Sequence, residues 1–477
     1  MIEFSPAKLA TLDSERFRRY QENLDFYNGH QWKQADLEQW RATDSRGRER
    51  TLVLNYTKTA LDKITAYLLQ GLNFPCYSFD HDEALAPKIR RAESLLAEVA
   101  DQNNLEQLDW ETETDTAILG DGCYKVIWDT SARRIKVVAP DVRGIYAWWL
   151  GDDLSAVWRV ASKYSLTKDE ASILYSRDFT KNKIQVVEVW TDKTFDLYLD
   201  NQKLESKPNP YGFIPFVIFP NFREPKQFWG TSDIPPLVEA QRELNRSISQ
   251  LSRVLEVSGN PITVLENVEA QKEIKVLPGA VWHLPEDARA YLLDLLKGGG
   301  VRLHIDYGNL IYRAFHDLSE MPRAAYGGVE KELSGAALTI ELQSLIQKVQ
   351  RKRCIRAPAY HRRTEMILSL AQRFLKEDFT GVSHKVVWGP ILPADVIRKA
   401  QSEQLLVNVG VHSRRTAMDE MGVKDPEAEF DKWLQERKTI REQNIELPSP
   451  STRGGSISRV LESAMVDNTG LESLEEM

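Results

Sequence analysis

The chain has 477 residues, 42% of them apolar and 28% charged, which is a globular composition with room for about three domains. Its formal net charge of −8 disfavours a simple electropositive coat for nucleic acid, although it is compatible with one basic surface. Three widely spaced cysteines indicate neither a disulfide framework nor a zinc site, and no run approaches the roughly 18 apolar residues of a membrane span.

The first 230 residues predict an α+β unit in which helices precede a mostly antiparallel sheet. Pro6 suits the first turn of a helix that places four apolar residues on one face: Phe17, Tyr20, Leu24 and Tyr27. Three more helical patterns follow at residues 55–71, 87–103 and 105–119, the first of them stopping at Gly71. From Tyr124 the apolar residues alternate with polar ones, and short β segments continue to the apolar run at residues 213–221.

Two long helical patterns then bracket a short β-rich segment. The first pattern starts near Ser232, stops at Gly259 and carries an apolar stripe spaced by three and four residues: Leu237, Ala240, Leu244, Ile248, Leu251 and Leu255. The second covers residues 301–320, with Val301, Ile305, Ile311, Phe315 and Leu318 on one face. We expect the two helices to lie antiparallel as a stalk, with residues 261–296 as a small head.

A broken segment and a long helix follow the stalk. Pro322 and the Gly327-Gly328 pair argue against a regular element before Glu330, and Ser334 can cap a helix that runs on past Arg363. The broken segment is either a surface loop before a core helix or a part that moves or lines a passage.

The long helix is rich in cations. Between Glu341 and Glu365 there are seven Lys or Arg residues plus His361, and no acid. Four of the cations fall on one stripe of the helix: Lys348, Lys352, Arg356 and Arg363. Three interpretations stay open, namely a solvated face, pairing with acids of a neighbouring subunit, and contact with phosphate or DNA.

Signatures of catalysis are lacking. No Gly is followed by Lys, so a phosphate-binding P-loop cannot be built, and HExxH, GxSxG and CxxC are absent. The Gly151-Asp152-Asp153 run favours a turn over a polymerase metal motif, and residues 80–83 favour a solvated loop over a metal site. Residues 298–300 favour a connection into a helix over a phosphate cradle. We therefore expect no enzyme, no cofactor and no metal.

The order of these segments resembles that of portal proteins, the head–tail connector rings of tailed double-stranded DNA bacteriophages. The likeness covers roughly residues 17–440 and is carried by motifs in the same order as in that family. They are FYNG, NYTKTALDKITAYLLQG, ETDTAILGDGCYKVIWD, NPYGFIPFVIFPN, SDIPPLVEAQRELNRSISQ and LSEMPRAAYGGVEKELSGAALTIEL.

The resemblance implies a portal-type α+β fold with named parts. They are an α+β wing (1–231), a first stem helix (232–259), a β-rich clip (260–298), a second stem helix (299–320), a tunnel loop (321–335), a long helix with a closing wing strand (336–394), a helical crown (395–445) and a flexible acidic tail (446–477).

The resemblance also implies partners and a location. We expect a homo-oligomeric ring, typically of twelve subunits, at one vertex of the capsid in the virion, assembled in the host cytoplasm without a membrane. Double-stranded DNA would pass through it without sequence readout during packaging and ejection. Terminase, head-completion or connector proteins, and capsid and scaffolding proteins would dock on it.

Particular residues follow from these roles. The expected DNA-facing residues of the tunnel loop are Met321, Arg323, Tyr326, Gly327, Gly328 and Lys331. The expected stem packing residues are Leu244, Ile248, Leu251, Leu255, Ile311 and Phe315. The expected docking residues of the clip are Glu266, Asn267, Glu269, Glu286 and Asp287. The cationic stripe would face DNA or a neighbouring subunit.

Two rival functions stay open at this point. One is a different phage structural protein, such as an adaptor or a minor head component. The other is a metal-dependent nucleic-acid-processing enzyme that uses Asp152 and Asp153.

Overall fold

The structure is a computed structural model that describes residues 4–33, 51–79, 83–259, 262–267, 287, 289–293, 300–327, 335–392, 396–423 and 425–442. The chain divides into two compact units, the first ending at Ile391 and the second beginning at Leu392. Helices and sheets are mixed in the first unit, which confirms the α+β class.

Nine helices are described in the first unit. They are α1 (Ser14–Tyr27), α2 (Tyr56–Leu69), α3 (Ala86–Asn103), α4 (Leu105–Leu119), α5 (Lys168–Tyr175), α6 (Val238–Gly259), α7 (Gly300–Ser319), α8 (Gly335–Glu341) and α9 (Gln343–Leu370). Helix α2 ends where the sequence predicts, since Gly71 adopts a φ of +65° just beyond it. Helix α9 continues through Pro358 and ends in a π turn, Ala371–Leu375.

Antiparallel pairing joins every described strand. A five-stranded sheet has the order β4 (Ile145–Leu150), β5 (Asp153–Thr167), β6 (Lys183–Trp190), β7 (Thr194–Leu199) and β8 (Gln202–Pro208). A three-stranded sheet has β2 (Asp121–Asp129) between β3 (Arg134–Val138) and β9 (Phe216–Pro220). The two-stranded pairs are β1 (Cys76–Tyr77) with β14 (Ser383–His384), β10 (Phe222–Arg223) with β11 (Gly230–Thr231), and β12 (Ile262–Glu266) with β13 (Arg289–Leu293).

Two apolar clusters hold the first unit together. One packs the three-stranded sheet against α3 and α9, with Tyr124, Val126 and Tyr360 fully buried. The other gathers α1, α2 and α4 around the beginning of α6 and the end of α7, where Leu237 and Phe315 are buried. The beginning of α6 and the end of α7 are thus part of the core, and we call these two segments the roots of the helical pair formed by α6 and α7.

The second unit contains three described helices, α10 (Val396–Val409), α11 (Arg414–Glu420) and α12 (Pro426–Glu442), which agrees with the helical character expected within residues 395–445. In α11 and α12, Arg414 lies over the ring of Trp433 with its guanidinium carbon 4.4 Å from the ring centre, and Phe430 stacks on Trp433.

Some details differ from the sequence prediction. The sequence does not predict helix α5 or strand β8, because both are short and β8 is polar. The closing strand expected between the long helix and residue 394 is reduced to the two-residue strand β14 and one bridge from Val387 to Asn73, since Pro390 and Pro393 interrupt the sequence there. In the β-rich segment expected at residues 261–296, Ile262–Glu266 and Arg289–Leu293 are strands, and residues 268–286 lie outside the described residues. The division into wing, stem, clip and crown stays a prediction.

Candidate functional site: the roots of the helical pair and helix α9

The helical pair is joined at one end by a β ladder. Strand β12 follows α6 and pairs antiparallel with β13, which precedes α7, from Ile262 opposite Leu293 to Glu266 opposite Arg289. The two helices also face each other, since a Cβ built at Gly308 of α7 would lie 3.7 Å from the hydroxyl of Ser247 in α6, an ordinary van der Waals contact. The described residues thus contain two long helices connected through an antiparallel β ladder, and their assignment as a stem with a clip stays a prediction.

The expected stem packing residues have different surroundings. Leu244 and Phe315 are 2% and 0% exposed, inside the core at the roots of the helices. Ile248, Leu251 and Ile311 are half-buried farther along the pair, whereas Leu255 is 50% exposed. The exposure of the apolar stripe of α6 thus increases along the helix, from the buried Leu244 to the half-exposed Leu255.

A second face of α6 is polar and buried, which the sequence prediction missed. Gln241, Asn245 and Ser249, spaced four apart, bind the extended backbone that precedes and begins α2. Their side-chain oxygens accept hydrogen bonds of 3.1, 3.0 and 2.9 Å from the backbone amides of Thr57, Leu54 and Leu52. These side chains, which we call the polar ladder of α6, give that backbone the hydrogen-bond acceptors that a neighbouring strand would otherwise provide. Their four-residue spacing is the sequence signal for the arrangement.

The described part of the segment after α7, residues 321–327, packs in part against the body of the chain. Met321 is 0% exposed, and Arg323–Tyr326 form a 3-10 helix in which Ala324 and Ala325 are buried. The expectation that Met321 faces DNA is wrong for this structure, because its apolar side chain is sequestered in the body. Arg323 and Gly327 are exposed and Tyr326 is half-buried. Gly328 and Lys331 lie outside the described residues.

His316 ties this segment to the last turn of α7. Its Nδ1 lies 2.7 Å from the carbonyl oxygen of Met321, and its ring packs edge-on against Tyr326. Burial lowers the pKa of His316 below its usual value. The neutral ring therefore donates from Nδ1 and holds the start of the segment against the helix.

The cationic stripe of α9 lies inside the chain. Lys348, Lys352, Arg356 and Arg363 are 4%, 1%, 0% and 1% exposed. Each is paired with a carboxylate of the same chain, so the interpretations as a solvated face, as a DNA contact and as an inter-subunit contact are all wrong. A buried charge costs too much free energy to be left without a partner, and the partners come from elements that surround α9.

Asp233, just before α6, binds two of these cations. The Nζ atoms of Lys348 and Lys352 lie 2.9 and 2.6 Å from its two oxygens. Lys348 also donates to the carbonyl oxygen of Ser319 at the end of α7, over 3.0 Å. Burial alone would raise the pKa of Asp233, but the two ammonium groups bring it well below its usual range. One lysine thus connects the roots of both helices of the pair to α9.

The other two cations bind α4. Arg356 donates from Nε to both oxygens of Glu113, at 3.0 and 2.8 Å, and from a terminal nitrogen to the carbonyl oxygens of Pro220 and Asn221. Arg363 pairs with Asp109, whose oxygen also accepts a 2.8 Å hydrogen bond from the hydroxyl of Tyr124. Asp109 and Glu113 lie four apart and so share one face of α4, which is the sequence signal for this arrangement.

The sequence features considered for metal chemistry lie in ordinary places. Asp152, in the turn between β4 and β5, and Asp153, the first residue of β5, are both exposed, and Asp153 accepts a 2.9 Å hydrogen bond from the backbone amide of Ser155. Asp80, His81 and Asp82 lie outside the described residues. Among the described residues, no group of three or more His, Cys, Asp or Glu is arranged to hold a metal ion. Gly300 begins α7, and Gly298 and Gly299 lie outside the described residues.

Comparison with known families identifies the class of this chain. Residues 7–443 match the model of the family described as phage portal protein, SPP1 Gp6-like. The match covers most of the chain, so the chain belongs to this family of phage portal proteins, which are structural proteins rather than enzymes. No curated protein matches the chain.

Family membership implies a place at the capsid vertex of a phage particle. No helix in the described part of the chain combines the length and the apolar character that crossing a membrane requires.

Proposed function

We propose that twelve copies of this chain form a ring whose central channel carries double-stranded DNA during packaging and ejection. The family assignment supports a portal role, and one structural observation supports the ring. It is a regular apolar stripe on the exposed side of α7.

The stripe consists of Leu303, Tyr307, Leu310 and Leu318, which are 71%, 41%, 61% and 50% exposed. At 100° per residue these side chains fall within one sector of about 80° on the helix. The neighbouring sector of α7, with Ile311 and Phe315, already packs inside the chain. An exposed apolar stripe this regular is typical of a surface that another protein covers.

A second copy of the chain is the proposed occupant. Each leucine that becomes buried contributes about 1.5–3 kcal/mol, and a ring repeats the contact at every subunit boundary. Leu310→Glu should therefore prevent ring formation while the subunit stays folded, because the side chain is exposed in the single chain. Asn309→Glu, an exposed position on a different side of the same helix, is the matched control.

Native mass spectrometry of both variants tests this assignment. We expect rings for the parent and for Asn309→Glu, and monomers for Leu310→Glu with an unchanged circular dichroism spectrum. Rings of parental size and stability for Leu310→Glu would remove the stripe from the subunit interface.

DNA contact is proposed for the segment after α7. Arg323 is exposed there, and Lys331 belongs to the same proposal. A net charge of −8 per chain keeps a ring from binding the duplex tightly, so a few cations would suffice to centre it. Arg323→Glu should lower the amount of nuclease-protected DNA in a packaging reaction without changing ring assembly, whereas Arg313→Glu on α7 should leave both unchanged. Equal packaging by the two variants would contradict the proposal.

Docking of terminase, and afterwards of head-completion proteins, is proposed for the end of the β12–β13 ladder at which Glu266 lies opposite Arg289. Glu266, Asn267 and Asp287 are exposed there, and the side-chain amide of Asn267 donates to the carbonyl oxygen of Asp287 over 3.2 Å. Glu269 and Glu286 belong to the same proposal and lie outside the described residues. The double change Glu266→Lys and Asp287→Lys should weaken terminase capture by intact rings, while Glu224→Lys in the body should not. Undiminished capture by the double variant would refute it.

A further inference from the structure

Helix α5 directly follows strand β5 of the five-stranded sheet and carries two exposed aliphatic side chains. Ile173 is 82% exposed and Leu174 is 61% exposed. The helix is nevertheless firmly held, because Thr167 and Glu170 form a reciprocal capping box and Ala171 is fully buried against the sheet. We call Ile173 and Leu174 the α5 knob.

A broad apolar groove lies near the other end of strand β5. It encloses about 860 Å³ between β5, β9 and the outer face of α9. Trp158, Phe216, Phe228, Ile355, Pro358 and Met366 are among the residues that line it. Leu150 on its rim is 59% exposed, and Trp149 stacks on Phe228 with ring centres 4.5 Å apart. We call this the β5–α9 groove.

The knob and the groove are carried by the same strand. Thr167, at the start of the knob helix, lies nine positions after Trp158 in the groove, which corresponds to about 30 Å of extended chain. The two surfaces therefore lie too far apart to fill each other within one subunit.

A rotational ring needs such a pair of unlike surfaces. Each subunit in a ring contacts one neighbour with one surface and the other neighbour with a different one. From this requirement, we infer that the α5 knob of one subunit enters the β5–α9 groove of the next. The inference rests on the proposed ring. It adds a second contact between neighbouring subunits, from α5 of one to the β5–α9 groove of the next, which is separate from the α7 stripe.

The charges around the two surfaces agree with this pairing. Asp169 lies four residues before Ile173, so both project from one side of α5. Arg223 and Arg362 are exposed at the groove, and Asp192 lines it as well. A knob that enters the groove brings the acidic Asp169 toward a surface that carries Arg223 and Arg362, the second of which already pairs with Glu365 over 2.8 Å. The groove also has ample volume for two aliphatic side chains.

Cysteine cross-linking tests the inference. The exposed native thiol is first removed by Cys354→Ser, while Cys76 and Cys123 are buried. Ile173→Cys is then combined with Ser155→Cys, an exposed position in the groove. Mild oxidation of assembled rings should give a ladder of covalent oligomers up to the full ring, at least tenfold more abundant than for the control pair Gln202→Cys with Ser155→Cys.

The outcomes separate the contact from the ring itself. Rings that form but give no more cross-linking than the control overturn the inference and leave the portal proposal standing. Cross-links that join the knob positions of two subunits to each other, and so stop at a dimer, overturn it as well. A parent chain that forms no rings overturns both proposals.

A second variant does not depend on thiol geometry. Ile173→Glu combined with Leu174→Glu should reduce the fraction of chains in rings at a fixed low concentration at least tenfold, because both side chains are exposed in the single subunit. Lys181→Glu is the control for added negative charge near α5. An unchanged ring fraction for the double variant overturns the inference.

Discussion

Replacing Arg356 by Met separates a role inside the subunit from a role in contact with DNA or a neighbour. Arg356 and Glu113 are both 0% exposed in their ion pair, and the guanidinium also donates to Pro220, to the Asn221 carbonyl and to the Asn221 side chain. The substitution keeps the volume of the side-chain stem but leaves the Glu113 carboxylate buried and unpaired. Removing one partner of a buried pair costs about 3–5 kcal/mol.

The loss should show in the single subunit. We expect the urea midpoint of monomeric Arg356→Met, followed by tryptophan fluorescence, to fall by the equivalent of about 3–5 kcal/mol. Replacing both partners, Arg356→Met with Glu113→Gln, should recover most of the loss, because no buried charge then lacks a partner. Arg351→Met is the control, since Arg351 is half exposed and pairs with Glu320 at the surface, where such pairs contribute about 1 kcal/mol or less.

A monomer midpoint for Arg356→Met within about 1 kcal/mol of the parent would refute this reasoning. If that result came with weaker ring formation or DNA retention, the cation would have an external partner after all.

Two further predictions concern neighbouring elements. Because the pKa of Asp233 lies well below its usual value of about 4, its contribution to stability is complete above that pH and is lost as the pH falls through the lower folded value. Asp233→Asn should therefore have a smaller free energy of unfolding than the parent at pH 7 in a denaturation experiment. The difference in this free energy should shrink toward pH 2. An equal difference at both pH values would count against the ion pairs. Asn245→Ala should lower hydrogen-exchange protection of the Leu54 amide at least tenfold, which corresponds to about 1.4 kcal/mol, whereas Gln250→Ala on the exposed side of α6 should not. Equal protection in the two variants would contradict the polar ladder.

Periodicity predicted the helical pair well because its determinants are local. The stripe from Leu237 to Leu255 and the stop at Gly259 suffice to define α6, and the change to alternation at Tyr124 suffices to define β2. The α+β class followed from the order of these patterns.

The cationic stripe shows where local patterns stop being informative. Helical spacing correctly placed Lys348, Lys352 and Arg356 on one face, but it could not tell whether that face meets water, DNA or protein. Their partners, Glu113 and Asp233, are more than a hundred residues away in sequence. Burial of charge is decided by such long-range pairing.

The segment after α7 shows a related limit. Pro322 and Gly327 indicated a broken segment, and within its described residues 321–327 the regular element is the four-residue 3-10 helix Arg323–Tyr326, after which Gly327 has a φ of +85°. The order of residues in the segment does not reveal that Met321 is buried, because that burial depends on packing against distant parts of the chain.

The most direct test of the central claim is electron microscopy of the purified full-length chain, with subunit number measured by native mass spectrometry. The portal account predicts closed rings of twelve subunits with a central hole wide enough for duplex DNA. A monomer, or a closed oligomer without a hole, at concentrations where portal rings should assemble would contradict it.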